Sequence, residues 1–169
     1  DPETAADMAW RDASISHIKN GIYGEMWVAA MLAVAAVTAE GDPARRIETV
    51  IRGGLAQIPS TSRLYESIMT VVDGYRGGVS QADCFAAIHT RWNEHDGHDW
   101  CHTISNAMIV AAALLYGEGD YGKSICMAVE TGFDTDCNGA TVGSVIGIRN
   151  GAKQIPDKWT KPLCGKLDT

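Results

Sequence analysis

Apolar residues in this chain recur every three or four positions, the spacing of one face of an α-helix. Ile47, Val50, Ile51 and Leu55 show it most clearly, because all four fall on one side of a helical projection. Few stretches alternate between apolar and polar residues with the period of two that a half-buried strand requires. The pattern therefore predicts an all-α fold class, a compact multi-helix orthogonal bundle.

Glycine, proline and capping residues divide this pattern into separate helices. The first is expected to end at Asn20-Gly21, which has the form of a C-cap. Ser80 and Asp83 have the form of a capping box at the start of a later helix, and the polar stretch 93–100 is the clearest loop. The predicted helices cover residues 3–19, 23–40, 43–55, 64–75, 85–92, 103–116, 121–130 and 138–152.

Length and charge narrow the class of protein. A chain of 169 residues with 46% hydrophobic residues predicts one globular domain. Its 14 basic and 21 acidic residues give a formal net charge of −7, which argues against nucleic acid as a partner and is compatible with a cation site. The longest apolar run, Met26 to Ala39, is shorter than the roughly 20 residues a membrane span needs. It is predicted to be a buried helix, and no membrane partner is expected.

The cysteines point to a reducing compartment. Their number is odd and no two of them form a Cys-x-x-Cys pair, which disfavours a disulfide framework or a structural zinc site. We therefore expect a cytoplasmic protein. The five are Cys84, Cys101, Cys126, Cys137 and Cys164.

Two carboxylates stand close together near the C-terminal end of the chain. Asp134 and Asp136 are two residues apart and precede a helical run of small and apolar residues. Like charges this close repel unless a cation holds both, and hard divalent ions prefer oxygen ligands. The alternative is a helix cap, in which Asp136 or Asn138 accepts hydrogen bonds from the first free N–H groups. Spacing alone leaves both possibilities open.

Glycines recur every fourth residue in the same predicted helix, at Gly139, Gly143, Gly147 and Gly151. Each costs a helix roughly 1 kcal/mol relative to alanine. Close approach of a second helix is the expected compensation, because a stripe without side chains lets two backbones come together. Such a contact directly below Asp134 would also hold that residue in a fixed position.

The order of motifs around these carboxylates resembles a known family. Residues 134–143 read Asp-Thr-Asp-Cys-Asn-Gly-Ala-Thr-Val-Gly, and residues 155–159 read Ile-Pro-Asp-Lys-Trp. Residues 12–17, Asp-Ala-Ser-Ile-Ser-His, precede a helix of small residues, and 100–106 and 114–121 add further similar segments. Together they resemble the ADP-ribosylglycohydrolase family, which is similar to dinitrogenase-reductase-activating glycohydrolase and includes J1-type crystallins.

The resemblance implies a fold of the ADP-ribosylglycohydrolase type and a hydrolase activity. The family's reaction breaks the bond between the anomeric carbon of ADP-ribose and its acceptor, in an ADP-ribosylated protein or a small ADP-ribosyl compound. The expected cofactors are two divalent cations, Mg²⁺ or Mn²⁺. By resemblance, Asp134 and Asp136 are the catalytic residues and the ligands of one ion. Cys137 occupies a ligand position where the family usually has threonine, and it fits equally well as a small buried hydrophobe.

Three further residues are candidates for substrate binding, each with a structural alternative. His17 follows the motif at 12–17 and either lines the cleft or makes structural hydrogen bonds. His102 and Asn106 are four residues apart and share one helical face. They either face the substrate or form a buried polar pair.

The resemblance also predicts that this chain is the C-terminal half of a larger domain. Family members begin with Gly-Asp-Ala/Ser-x-Gly and Thr-Asp-Asp-Thr motifs that complete the metal site, and neither occurs here. We therefore expect residues 1–169 to form one all-α domain, with the N-terminal half a possible separate polypeptide. The alternative is a non-catalytic member, either an ADP-ribose-binding or a crystallin-like structural protein.

Overall fold

The computed structural model describes residues 1–38 and 43–165, and every regular element in these ranges is helical. This confirms the all-α fold class. Between Ala152 and Gln154, and between Lys161 and Leu163, the chain forms single 3₁₀ turns. The helices are α1 (Pro2–Ala13), α2 (Asn20–Val37), α3 (Pro43–Leu55), α4 (Arg63–Arg76), α5 (Gln81–Arg91), α6 (Thr103–Gly117), α7 (Tyr121–Glu130), α8 (Thr135–Asn150) and α9 (Asp157–Thr160).

Helix α6 forms the centre of the bundle. Its segment from Ile109 to Leu115 is buried on every side, which is typical of a helix that is apolar all round. Helices α2, α3, α4, α5, α7 and α8 pack around it. The predicted bounds 103–116 and 121–130 agree with α6 and α7 to within one residue. The first turn of α6 lies at the surface, where it contributes to the site described below.

The predicted first helix is wrong at its C-terminal end. Helix α1 ends at Ala13, and Asn20 begins α2 instead of capping α1. Ile15 and Ile18 in the connection are 84% and 78% exposed, so continuing α1 would bury no apolar surface there. The Asn20 side chain has another use, because its Oδ1 accepts a hydrogen bond from the backbone N–H of Leu64 at 3.2 Å. Asn20 thus contacts the start of α4, 44 residues away in the chain, instead of capping α1.

Helix α2 is longer than the apolar run alone indicated. At 18 residues it is the one helix in the described ranges that is long and apolar enough to cross a membrane by length and composition. In this structure it packs against α1, α3, α6 and α8. Trp27 and Met31 are 1% and 0% exposed, and the Trp27 Nε1–H donates to the carbonyl of Ile51 at 3.3 Å. The predicted end of this helix, at residues 39–40, lies outside the described residues.

Helix α8 begins at Thr135, three residues before its predicted start, so that Asp136 lies in its first turn. The close approach expected at the glycine stripe is confirmed against α7. A Cβ on Gly139 would lie 3.0 Å from Val129, and one on Gly143 would lie 3.2 Å from Ile125. Gly151 has a different function, since its φ of 81° ends the helix. The stripe thus lets α7 pack directly behind the acidic end of α8.

Candidate functional site

The chain reaches the two carboxylates through an unusual backbone turn. Gly132 and Phe133 have φ angles of 86° and 62°, and a positive φ is uncommon for a residue as bulky as phenylalanine. Asp134 follows with φ −86° and ψ 75°, and the Thr135 N–H donates to the Phe133 carbonyl at 3.1 Å. This is the geometry of an inverse γ-turn. The Phe133 ring is 9% exposed and packs on His89 with ring centroids 5.1 Å apart, which holds the turn from behind.

Asp134, Asp136 and Cys137 form one cluster at the N-terminus of α8. Each offers a potential ligand atom, and these atoms all lie within 4.8 Å of one another. Asp134 is half-buried, and the other two are exposed. Although Asp134 occupies the N-cap position, its side chain makes no capping hydrogen bond, so its carboxylate is available to a ligand. The donor set of two carboxylates and one thiol fits a divalent cation, with the thiol the softest member.

The Cys137 thiol interacts directly with the carboxylate of Asp134. It donates a hydrogen bond to the Asp134 carboxylate, and this bond, then burial and the two nearby carboxylates, raise the pKa of Cys137 above its usual value. The metal-free site therefore holds a neutral thiol at neutral pH. Binding of a cation would reverse this effect, because a positive charge favours the thiolate.

The hydrogen bond from Cys137 to Asp134 gives a pH-dependent prediction. We expect iodoacetamide to alkylate Cys137 faster in Asp134→Asn than in the wild-type chain at about pH 8, without metal. The substitution removes the carboxylate whose hydrogen bond and negative charge raise the pKa of the thiol, so more thiolate is present at a given pH. Peptide mapping by mass spectrometry separates Cys137 from the other cysteines. Equal rates in both proteins would show that Asp134 does not control the thiol.

A cleft of about 320 Å³ adjoins this cluster, and three helices contribute to it. Helix α2 supplies Glu25, α6 supplies Asn106, and α8 supplies Cys137, with Asp134 at its start. The helices approach closely at Gly24, where a Cβ would lie 2.5 Å from a methyl group of Thr103. A larger groove, of about 860 Å³, lies beside α7 and α8, but no carboxylate lines it. The smaller cleft is therefore the candidate site.

Glu25 is the cleft residue that the sequence interpretation missed. It is an isolated acid in the apolar stretch of α2, and a lone charge in such a stretch is a signal that could have identified it. Its carboxyl group hydrogen-bonds Asp12, and burial, followed by the charge of Asp12, raises the pKa of Glu25. The electrostatic interaction with His17 acts in the opposite direction on the pKa of Glu25. The motif at 12–17 thus meets α2 at the edge of the cleft.

The three predicted substrate-binding residues lie in different surroundings. His17 is exposed, with its Nδ1 2.8 Å from the Ser16 hydroxyl. The His102 Nδ1 accepts the Ile104 N–H at 3.1 Å and so caps α6, which leaves the proton on Nε2. Asn106 lines the cleft itself. Of the three, Asn106 is the one that the structure brings next to Asp134, through a hydrogen bond of 3.1 Å to its backbone N–H.

Together, the helical bundle and the cleft beside the acidic cluster at the start of α8 define an all-α protein with a candidate site between three helices. The sequence model of the family described as ADP-ribosylglycohydrolase matches residues 1–169. The chain therefore belongs to the ADP-ribosylglycohydrolase family, and its function is of the glycohydrolase type. Searches of curated proteins and of solved structures found no match for this chain.

Proposed function

We propose that this chain is part of a metal-dependent hydrolase that removes ADP-ribose from a modified protein side chain or a small ADP-ribosyl compound. One observation carries the proposal. In a chain of this family, Asp134, Asp136 and Cys137 converge within 4.8 Å beside a cleft. Two carboxylates in this position offer the oxygen ligands that hard divalent cations prefer.

The roles of the residues follow from their chemistry. Asp134 and Asp136 would hold one of two divalent cations, Mg²⁺ or Mn²⁺, and through it act as the catalytic residues. A bound cation at this position would activate a water molecule and stabilise negative charge on oxygen. Cys137 would complete the group as a softer ligand, which favours Mn²⁺ over Mg²⁺.

His102 is proposed to contact an anionic substrate. It lines a second cavity, of about 170 Å³, together with Lys19 and Arg63, and shares Thr103 with the main cleft. The positive charges of Lys19 and Arg63 stand out in a chain of net charge −7 and suit the diphosphate of ADP-ribose. His17, at the edge of the cleft beside Glu25, is proposed as a second substrate contact.

The cluster supplies three ligand atoms, whereas Mg²⁺ demands about six in an octahedral arrangement. Water, substrate or a further polypeptide that corresponds to the N-terminal half of the family domain would provide the others. We therefore expect the purified chain to bind a divalent cation but to hydrolyse ADP-ribosyl substrates poorly. The incomplete ligand set also favours the second candidate function, an ADP-ribose-binding or crystallin-like member without catalysis.

Calorimetry and a hydrolysis assay distinguish these possibilities. The purified chain would be titrated with Mn²⁺, then with ADP-ribose in the presence of Mn²⁺, and assayed on an ADP-ribosylated protein. Intact-mass analysis of the native preparation would show whether a second polypeptide accompanies the chain. Mn²⁺ binding with turnover supports the hydrolase. ADP-ribose binding without turnover, even with a second polypeptide present, supports the binding protein. Absence of Mn²⁺ binding would overturn the metal-dependent function.

A further inference from the structure

The side-chain amide of Asn106 has its hydrogen bonds directed into the protein. Its Nδ2 donates to the carbonyls of Trp100 and His102, each at 3.0 Å. Its Oδ1 accepts from the backbone N–H of Asp134 at 3.1 Å and from the Nδ2 of Asn138 at 2.7 Å. An amide offers two donors and one oxygen with two lone pairs. All four positions are therefore occupied, and the amide has none left for a substrate.

These bonds connect two segments that are far apart in sequence, residues 100–106 and 134–138. Trp100 and His102 belong to the connection before α6, Asn106 to the first turns of α6, and Asn138 to the first turn of α8, where it is 2% exposed. The Asp134 peptide is held on both sides, because its carbonyl accepts the Asn138 N–H at 2.9 Å. Asn106 is thus the link between the central helix and the backbone of the carboxylate turn.

The turn needs such a link because its backbone is strained. The strain lies at Phe133, which has a positive φ, and a bulky residue keeps such a conformation only where surrounding contacts impose it. The Asp134 carboxylate accepts a hydrogen bond from the Cys137 thiol but makes no capping bond to the backbone. The bond from the Asp134 N–H to Asn106 holds the backbone from which that carboxylate extends.

We infer that Asn106 is a positioning residue, which holds the Asp134 carboxylate in the orientation that brings it into one cluster with Asp136 and Cys137. The inference rests on the proposed metal function, because orientation matters only if the carboxylate binds a ligand. It assigns Asn106 a role through Asp134 and not through contact with substrate. Groups that orient metal ligands typically contribute ten- to a hundred-fold to metal affinity.

Three variants of the full chain test the inference. Asn106→Ala removes the link, and Asn106→Asp keeps an oxygen acceptor for the Asp134 N–H. Asn150→Ala is the matched control, because the Asn150 Nδ2 also joins two segments, by a 3.1 Å bond to the Gly119 carbonyl at the far end of α8. Mn²⁺ affinity would be measured by calorimetry and hydrogen exchange of the Asp134 amide by NMR, at a temperature where thermal unfolding shows every variant folded.

We expect Asn106→Ala to weaken Mn²⁺ binding by at least about ten-fold and to speed exchange of the Asp134 amide. Asn106→Asp keeps the acceptor for the Asp134 N–H but loses both donors, so it should slow exchange of the Asp134 amide relative to Asn106→Ala. Asn150→Ala should match wild type in both measurements. Equal losses in Asn106→Ala and Asn150→Ala would show a general stability effect and overturn the inference, as would an unchanged Asp134 amide or unchanged Mn²⁺ affinity in Asn106→Ala. A wild-type chain that does not bind Mn²⁺ would overturn the proposed function, and the exchange data would still decide whether Asn106 holds Asp134.

Discussion

Replacement of Asp134 by asparagine is expected to weaken Mn²⁺ binding by at least about 100-fold. Loss of a residue that only orients a metal ligand already weakens binding by up to about 100-fold, and Asp134 is proposed as a ligand itself. The substitution removes one negative charge and one strong oxygen ligand from a cluster whose donor atoms lie within 4.8 Å. It should leave folding intact, because the Asp134 side chain makes no capping hydrogen bond. Asparagine is, in addition, as good an N-cap residue as aspartate.

Calorimetry with Mn²⁺ measures the effect, and circular dichroism with urea unfolding measures the fold. Asp157→Asn is a suitable control. Asp157, at the start of α9, is an exposed carboxylate whose Oδ2 lies 2.8 Å from the Nζ of Lys161, just after that helix. The variant therefore loses the same charge at a different position. We expect it to bind Mn²⁺ as wild type does. If both variants bound Mn²⁺ equally well, or both weakly, the ligand assignment of Asp134 would be wrong.

Gly54→Ala is expected to lower the free energy of unfolding by about 2 kcal/mol through overpacking. In an open helix the same change would be stabilising, since alanine is the better helix former. Here a Cβ at position 54 would lie 2.7 Å from the backbone carbonyl oxygen of Trp27 and 2.7 Å from Met31. Trp27 is 1% exposed and cannot move aside, so α2 and α3 would have to separate.

Gly74→Ala is expected to change the free energy of unfolding in the opposite direction to Gly54→Ala. The nearest atoms to a Cβ at Gly74 are those of Val79, at 3.7 and 3.8 Å, which is ordinary van der Waals contact. The change should therefore stabilise the chain by up to about 1 kcal/mol. Urea unfolding of both variants would compare the signs directly. Stabilisation by Gly54→Ala would contradict the close contact between α2 and α3.

The parts of the fold that sequence could predict are those that depend on neighbouring residues. Helices α6 and α7 were predicted within a residue of their bounds, because apolar periodicity and caps are local signals. The predicted cap at Ser80 is also present, with the Asp83 N–H donating to the Ser80 hydroxyl at 3.1 Å at the start of α5. The C-cap predicted at Asn20 for the first helix is wrong, because the Asn20 side chain accepts a hydrogen bond from the Leu64 N–H at the start of α4. A contact between residues so far apart in sequence leaves no local signal.

Some residues of the candidate site could also be predicted from sequence, and others could not. Asp134, Asp136 and Cys137 could be found from sequence, because they lie within four residues of one another at the start of one helix. Glu25 could not be placed beside them from sequence, since it reaches the cleft only when α2 packs against α6 and α8. The packing of α2 against α6 and α8 leaves no signal in the local sequence pattern.

The sequence by itself determined an all-α chain with an acidic pair at the start of a glycine-striped helix, since periodicity, capping and spacing act within a few residues. Only the tertiary structure decided what surrounds that pair. Asn106 meets the Asp134 backbone from 28 residues away, and the positive φ of Phe133 is held by burial of its ring against His89. Both depend on how α6 and α5 pack against α8 and the turn before it, because burial and long-range hydrogen bonds form only between elements that are already in place.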